Sequence, residues 1–245
     1  MTRQSRVGLC AVGLAGLAVL LAWGIAGLEP FGHYPGPYGT ILNAVEPQER
    51  HAANVVAAVV FDYRGVDTLG EELILFCAVM GLAFLLRENR EENTRSVRDR
   101  ASSDAVRAVG IVAVPVVVLL ALDLIAHGYI TPGGGFQGGV AASAGLLLVY
   151  LAGDWRAMRR AGPLRLVDVA EAGGAAGFVV VGFATLIAGG AFLENLLPLG
   201  TFGKLTSGGT IPVANWCVGL EVSAAFVLIF LEFLEEIMAE RARDR

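Results

Sequence analysis

VGLCAVGLAGLAVLLAWGIAGL, residues 7–28, runs for 22 residues without a charged side chain. At ~1.5 Å per residue a helix of that length reaches about 33 Å, enough to cross a hydrocarbon core of ~30 Å. Arg3 and Arg6 just before it would also suit a signal peptide. Signal cores hold only ~7–15 apolar residues, however, so the segment reads as a retained first span. Five further apolar segments follow at 66–86, 108–126, 134–152, 172–193 and 213–234. The second carries Glu71 and Glu72, which leaves only 73–86 uncharged. The composition agrees, with 55% hydrophobic against 17% charged residues and a mean hydropathy of +0.63, beyond the range of water-soluble domains. The expected fold class is therefore an all-α integral membrane protein with about six transmembrane helices.

Positive charge tests that count independently, because Lys and Arg in short loops stay on the cytoplasmic side. Six spans place the amino terminus, the loop 87–107, the loop 153–169 and the carboxyl terminus together, and these hold 15 of the 18 basic residues. Arg50, Arg64 and Lys204 remain on the other side. Dropping one span destroys the segregation, so both ends are expected inside. The loop beginning RENREENTRSVRDR mixes both signs without an apolar period and reads as a solvated linker. It divides the chain into a two-span module, 1–95, a linker, 96–104, and a four-span domain, 105–245.

Several function classes find no support. No basic patch points to nucleic acid, and Cys10, Cys77 and Cys217 each lie alone in apolar segments, with no ligand spacing for a metal. Nucleophile and base pairs, dinucleotide fingerprints and phosphate loops are missing, so the sequence offers no enzymatic chemistry and no cofactor.

The informative residues are the polar and glycine-rich ones that lipid excludes. FDYRGVDTLGEE, 61–72, sets Asp62, Arg64 and Asp67 at the outer mouth of the second span, with Glu71 deeper. This is either a salt-bridge knot or a polar funnel for cations and protons. The run 52–61 before it is too short to span and is expected to form a half-helix or an interfacial segment. In HGYITPGGGFQGGV, 127–140, Pro132, Gly133, Gly134 and Gly135 force a turn, since proline costs ~3 and glycine ~1 kcal/mol in a helix. Asp123 and His127, four apart, either pair or relay protons, or the histidine is merely interfacial. In LPLGTFGKLTSGGTIPVANWCVGLEV, 197–222, Gly208, Gly209 and Pro212 shape an outer loop with a re-entrant character, and Asn215 and Glu221 follow inside the last span. Glu221, ~12 Å below the start of that apolar run by helical rise, is the most conspicuous ionisable group. It either hydrogen-bonds a neighbouring helix or serves an ion route. Glu171 and Glu232 read as acids near the cytoplasmic face that snorkel to water.

The segments 127–140 and 197–222 resemble the MnhB/MrpB family of the Mrp-type multisubunit cation/proton antiporters, over roughly 105–234. HAANVVAAVVFDYRGVDTLGEELILFCAVMGLAFLL, 51–86, resembles the carboxyl-terminal part of the A-type component of the same systems, an MbhE-like module also found in related membrane-bound hydrogenases. The chain thus looks like a fusion of the two. The resemblance implies a multi-pass bacterial cell-membrane protein, partnered by other membrane subunits and by lipid, in a complex that exchanges Na+ for H+ on the proton-motive force. Na+ and H+ are then cargo rather than cofactors, with Glu71, Glu221, Asp123 and His127 as expected ion-path groups. Asp62, Arg64 and Asp67 shape the entrance, and Asn215 and Thr210 are further oxygen donors. Two alternatives remain, a bracing role without ion contact and membership of a related redox-driven pump. The chain's only lysine is Lys204, so no lysine lies in any span.

Overall fold

A computed structural model describes residues 3–28, 32–33, 36–87 and 103–243. Regular structure among them is entirely helical. Most of the linker expected at 96–104 lies outside the described residues. The chain divides into two compact units, residues 1–41 and 42–245. The first holds α1 (Arg3–Ala26), a 24-residue helix whose apolar stretch is Ala11–Ala26. Helix α2 (Tyr38–Glu49) starts in the first unit and ends in the second.

In the second unit, α3 (Val55–Ala58) passes directly into a π-helical turn, Val59–Tyr63. The chain then bends at Arg64 into α4 (Gly65–Arg87). The Thr68 hydroxyl donates to the Val60 carbonyl at 2.5 Å, a contact that a straight helix could not make across eight residues. The run 52–61 is thus a half-helix, and it is packed into the bundle, with Ala57, Ala58 and Phe61 buried against Phe178 and Val218. Asn54 anchors it. Its side chain accepts from Val56 N–H and donates to the carbonyls of Gly128 and Thr131.

Four more membrane-length helices follow: α5 (Asp104–Ala126), α6 (Gly135–Ala152), α8 (Leu164–Ile187) and α9 (Ile211–Arg243), with the short α7 (Trp155–Ala161) between α6 and α8. With α4 these make five helices long and apolar enough to span, and α1 supplies the sixth, shorter apolar stretch. The chain is an all-α integral membrane protein. Its outer faces carry exposed apolar side chains such as Val109, Ile111, Leu119, Phe84 and Leu85, a surface suited to lipid or to other spans.

Helix α9 is the centre: α4, α6 and α8 all pack on it. Glycine sets the spacing. A Cβ at Gly135 would lie 2.3 Å from the Asn215 carbonyl oxygen, and one at Gly174 would lie 2.5 Å from the Glu221 nitrogen. Gly174→Ala must therefore push α8 away from α9 and is expected to destabilise by about 1–3 kcal/mol. Gly173, with nothing within 4 Å of its Cβ position, is the matched control. Thermal melts of the two alanine variants should separate, with Gly174→Ala melting lower.

Helix α8 begins eight residues before the expected apolar run, because Arg165 and Asp168 in its first two turns interrupt the hydropathy without breaking the helix. As a result Glu171 lies two turns inside it and is buried. Glu232 is buried as well, and Met158 of α7 packs with Val167 and Leu231 over this end of the bundle. Neither acid snorkels.

Candidate functional site

Among the described residues, every fully buried charged side chain is a glutamate: Glu46, Glu72, Glu171, Glu221 and Glu232. Two of them meet. Glu72 projects from the second turn of α4 toward α9 because Thr68, Glu72, Val79 and Ala83 recur at helical spacing along the buried stripe of that helix. Glu221 projects from α9 and is 0% exposed. The two carboxyl groups are neighbours across the α4–α9 contact, close enough to act on each other directly. Among the described residues no donor hydrogen-bonds either Glu221 oxygen or Oε2 of Glu72. A hydrogen bond between two carboxyl groups exists only when one carries a proton. One shared proton, or one desolvated cation, would balance two such buried acids.

Its depth follows from helix geometry. Glu221 stands ten residues below Ile211, ~15 Å by rise and about half of a ~30 Å core. Above it a cavity of about 400 Å³ opens between α3, α4 and the start of α6. Glu72 lines its inner end, and Glu71 and Gln137 are exposed side chains on its wall. Sequence reasoning singles out Glu71 and passes over its neighbour. The structure brings Glu72 to Glu221 and leaves Glu71 facing outward.

The remaining expected residues fall into separate groups. Arg64 pairs with Asp67 on the exposed start of α4. Asp62 instead pairs with Arg50 at 2.8 Å and accepts from Asn195 Nδ2 at 3.0 Å. Asn195 also donates to the Gly208 carbonyl and accepts from Thr210 N–H, which holds the outer loop. Gly209 is in the left-handed region, φ 60°, and a Cβ there would lie 2.0 Å from Asn195 Oδ1, so only glycine fits. Pro212 sits in the first turn of α9, where its missing N–H costs no hydrogen bond. The Thr210 hydroxyl accepts from Leu196 and Leu197 N–H within the same loop.

Asn215 is taken up by structure. Its Oδ1 accepts from Gly135 N–H at 2.6 Å and its Nδ2 donates to the Ile125 carbonyl at 2.5 Å. It thereby clamps the turn containing Pro132, Gly133 and Gly134 onto α9. His127 and Asp123 meet at 2.8 Å on the last turn of α5, partly exposed and away from the walls of the cavity.

Near Arg50 lies Glu46, 0% exposed, whose Oε1 accepts from Ala52 N–H while Oε2 has no hydrogen-bond partner among the described residues. Burial raises its pKa above the ordinary glutamate range, against the opposing pull of the Ala52 hydrogen bond and Arg50. The folded state thus prefers Glu46 protonated. Its favourable share of stability is complete below the unfolded-state pKa, about 4.3, and is lost as pH rises through the folded-state value. Glu46→Gln keeps the Ala52 contact without the charge. Thermal melts across that window should show the wild type losing stability relative to Glu46→Gln as pH rises.

Comparison with known proteins places the chain. Residues 105–228 match the family model described as a domain related to the MnhB subunit of Na+/H+ antiporter. An uncharacterized protein of Methanocaldococcus jannaschii is 33% identical over 214 residues, 77% of this chain and 80% of the relative. The A/B component of a probable K+/H+ antiporter of Rhizobium meliloti is 31% identical over 192 residues, covering 68% of this chain but only 19% of that longer protein. Among solved structures, a chain of the membrane-bound sulfane sulfur reductase, an archaeal respiratory membrane complex, superimposes with a TM-score of 0.73 at 31% identity, over 94% of this chain and 98% of that one. A chain of the Mrp complex from Dietzia sp. gives 0.69 at 27% identity, over 95% of this chain and 26% of that one. On these matches the chain belongs to the family of membrane proteins related to the MnhB subunit of Na+/H+ antiporters.

Proposed function

We propose that this chain is one membrane component of a multisubunit Mrp-type cation/proton antiporter and that the Glu72–Glu221 pair is an ion-exchange point on its transport route. The reading draws on the family, on the K+/H+ antiporter relative and on the Mrp complex neighbour. The observation that carries the site is the meeting of two buried carboxyl groups, with Glu221 ~15 Å by helical rise from the start of α9 and no ion pair among the described residues reaching either of them. Burying one such group costs a few kcal/mol, and burying two face to face costs more unless a proton or metal cation sits between them. A sodium or potassium ion suits the pair as well as a proton does, because hard cations take oxygen ligands.

The test is cation-dependent proton flux in inverted vesicles carrying the whole complex, with Glu221→Gln compared with wild type per assembled complex. Glutamine can still hydrogen-bond Glu72 but cannot exchange a proton. Flux near background at normal assembly is expected, whereas wild-type flux would leave the pair a structural contact. The fold likeness to the sulfane sulfur reductase complex favours a second reading, a component of a redox-driven pump. In that case cation movement requires a reductant and stops when electron transfer is inhibited, even with a proton-motive force imposed.

A further inference from the structure

We propose that the cavity between α3, α4 and the start of α6 is the docking groove for a transmembrane helix of a different protein of the complex, which brings one lysine or arginine side chain to Glu71. Glu72 meets Glu221 near mid-span, so Glu71, one residue away on α4, stands at nearly the same depth. Unlike Glu72 it is exposed on this chain, and none of the ion pairs of the described residues includes it. A carboxylate at that depth is costly against hydrocarbon, so the face that carries it is covered by something other than lipid.

The lining of the groove indicates what covers it. Val56, Val60, Phe136 and Val218 make most of the wall apolar, and Glu71 and Gln137 supply an anion and an amide. A long apolar stem ending in a cation matches that distribution, as the methylenes of lysine or arginine lie along apolar surface while the charged head reaches the carboxylate. The volume of about 400 Å³ accommodates such a side chain with its packing neighbours but not a helix, so the helix lies along the rim. Val56, 67% exposed at that rim, is then part of the contact. Among the described residues the chain does not supply the cation from mid-span itself: its one lysine, Lys204, is in a loop, and the arginines of its membrane-length helices, such as Arg87, Arg107 and Arg165, stand at helix ends. The inference rests on membership of a multisubunit membrane assembly and is independent of whether the buried pair carries ions.

The experiment uses the intact complex in native membranes. A photo-crosslinking amino acid at Val56 is compared with one at Val112, 67% exposed on α5, and the cross-linked peptides are sequenced. Position 56 is expected to couple to one helix of another protein that contains a lysine or arginine near mid-span. Glu71→Lys is expected to lower assembled complex about tenfold at an unchanged membrane level of the chain, and changing the identified partner base to glutamate in that background should restore it. Cross-linking at Val56 to lipid only, or to a second copy of this chain, would overturn the proposal. So would full assembly of Glu71→Lys. Transport is not the readout here, so failure of the ion-exchange reading, seen as normal flux in Glu221→Gln, is recognised separately.

Discussion

Replacing both Glu72 and Glu221 by leucine is expected to give an assembled, more heat-resistant protein that has lost transport. The two side chains are almost wholly removed from solvent, 2% and 0% exposed, and among the described residues no donor compensates Glu221 or Oε2 of Glu72. Exchange of buried charged groups for apolar side chains of similar volume is neutral or stabilising by about 1–4 kcal/mol. Leucine is close to glutamate in size, and Val218 and Val222, one turn before Glu221 and next to it on α9, are buried and apolar. A single leucine behaves differently, because it strands the remaining acid without its partner and should lower stability. The expected order of melting is double leucine above wild type, with each single leucine below. Flux per assembled complex should fall to background in the double variant. A bracing role for the pair predicts the reverse, with double leucine the least stable and transport falling only as assembly falls. Melting of the complex-bound chain together with vesicle flux distinguishes the two.

The fold was legible because lipid imposes a length rule. Segments such as 108–126 and 134–152 differ by no more than a few residues from α5 and α6. The helix ends near charges were less legible. Arg165 and Asp168 hide the first turns of α8, so Glu171 reads as a membrane-surface residue when it lies two turns within the helix. Likewise α9 continues to Arg243, and α7 covers the end of the bundle where the hydropathy leaves Glu232 free to reach water.

The site was half legible for a related reason. Glu221 stands out by depth alone, which needs only the position of the helix start. Choosing between Glu71 and Glu72 requires knowing which face of α4 turns inward, and hydropathy cannot supply that when lipid-facing and buried faces are both apolar. The available signal was the period Thr68, Glu72, Val79, Ala83, in which small and polar residues share one stripe. Local spacing lets Arg64 pair with Asp62 or with Asp67; it takes Asp67, and Asp62, in the π-helical turn, pairs with Arg50, a partner that no short-range pattern encodes.

Arg50→Met is expected to destabilise the outer end of the bundle by about 2–3 kcal/mol, with most of the loss recovered in Arg50→Met combined with Asp62→Asn. Arg50 sits between two buried acids. It pairs with Asp62, whose side chain is 7% exposed, and directly follows α2, where its N–H donates to the Glu46 carbonyl at 2.8 Å. Its guanidinium also stacks 4.9 Å from the Tyr63 ring centre, and the Tyr63 hydroxyl donates to Glu49 at 2.7 Å. Methionine keeps much of the stem packing on Tyr63 but removes the charge, leaving the buried Asp62 carboxylate without its cation. Asparagine at position 62 then relieves the stranded charge and can still accept from Asn195. Because Asp62 is joined through Asn195 to Gly208 and Thr210, the disturbance should spread into the outer loop. His51, held at φ 54° with Nδ1 2.7 Å from the Gly200 carbonyl, would lose support from the same side. A double-mutant cycle on melting temperature, with protease sensitivity of residues 195–210 as a second readout, measures the coupling. Additive losses would show that Arg50 and Asp62 contribute independently and that the loop is held by its own turns.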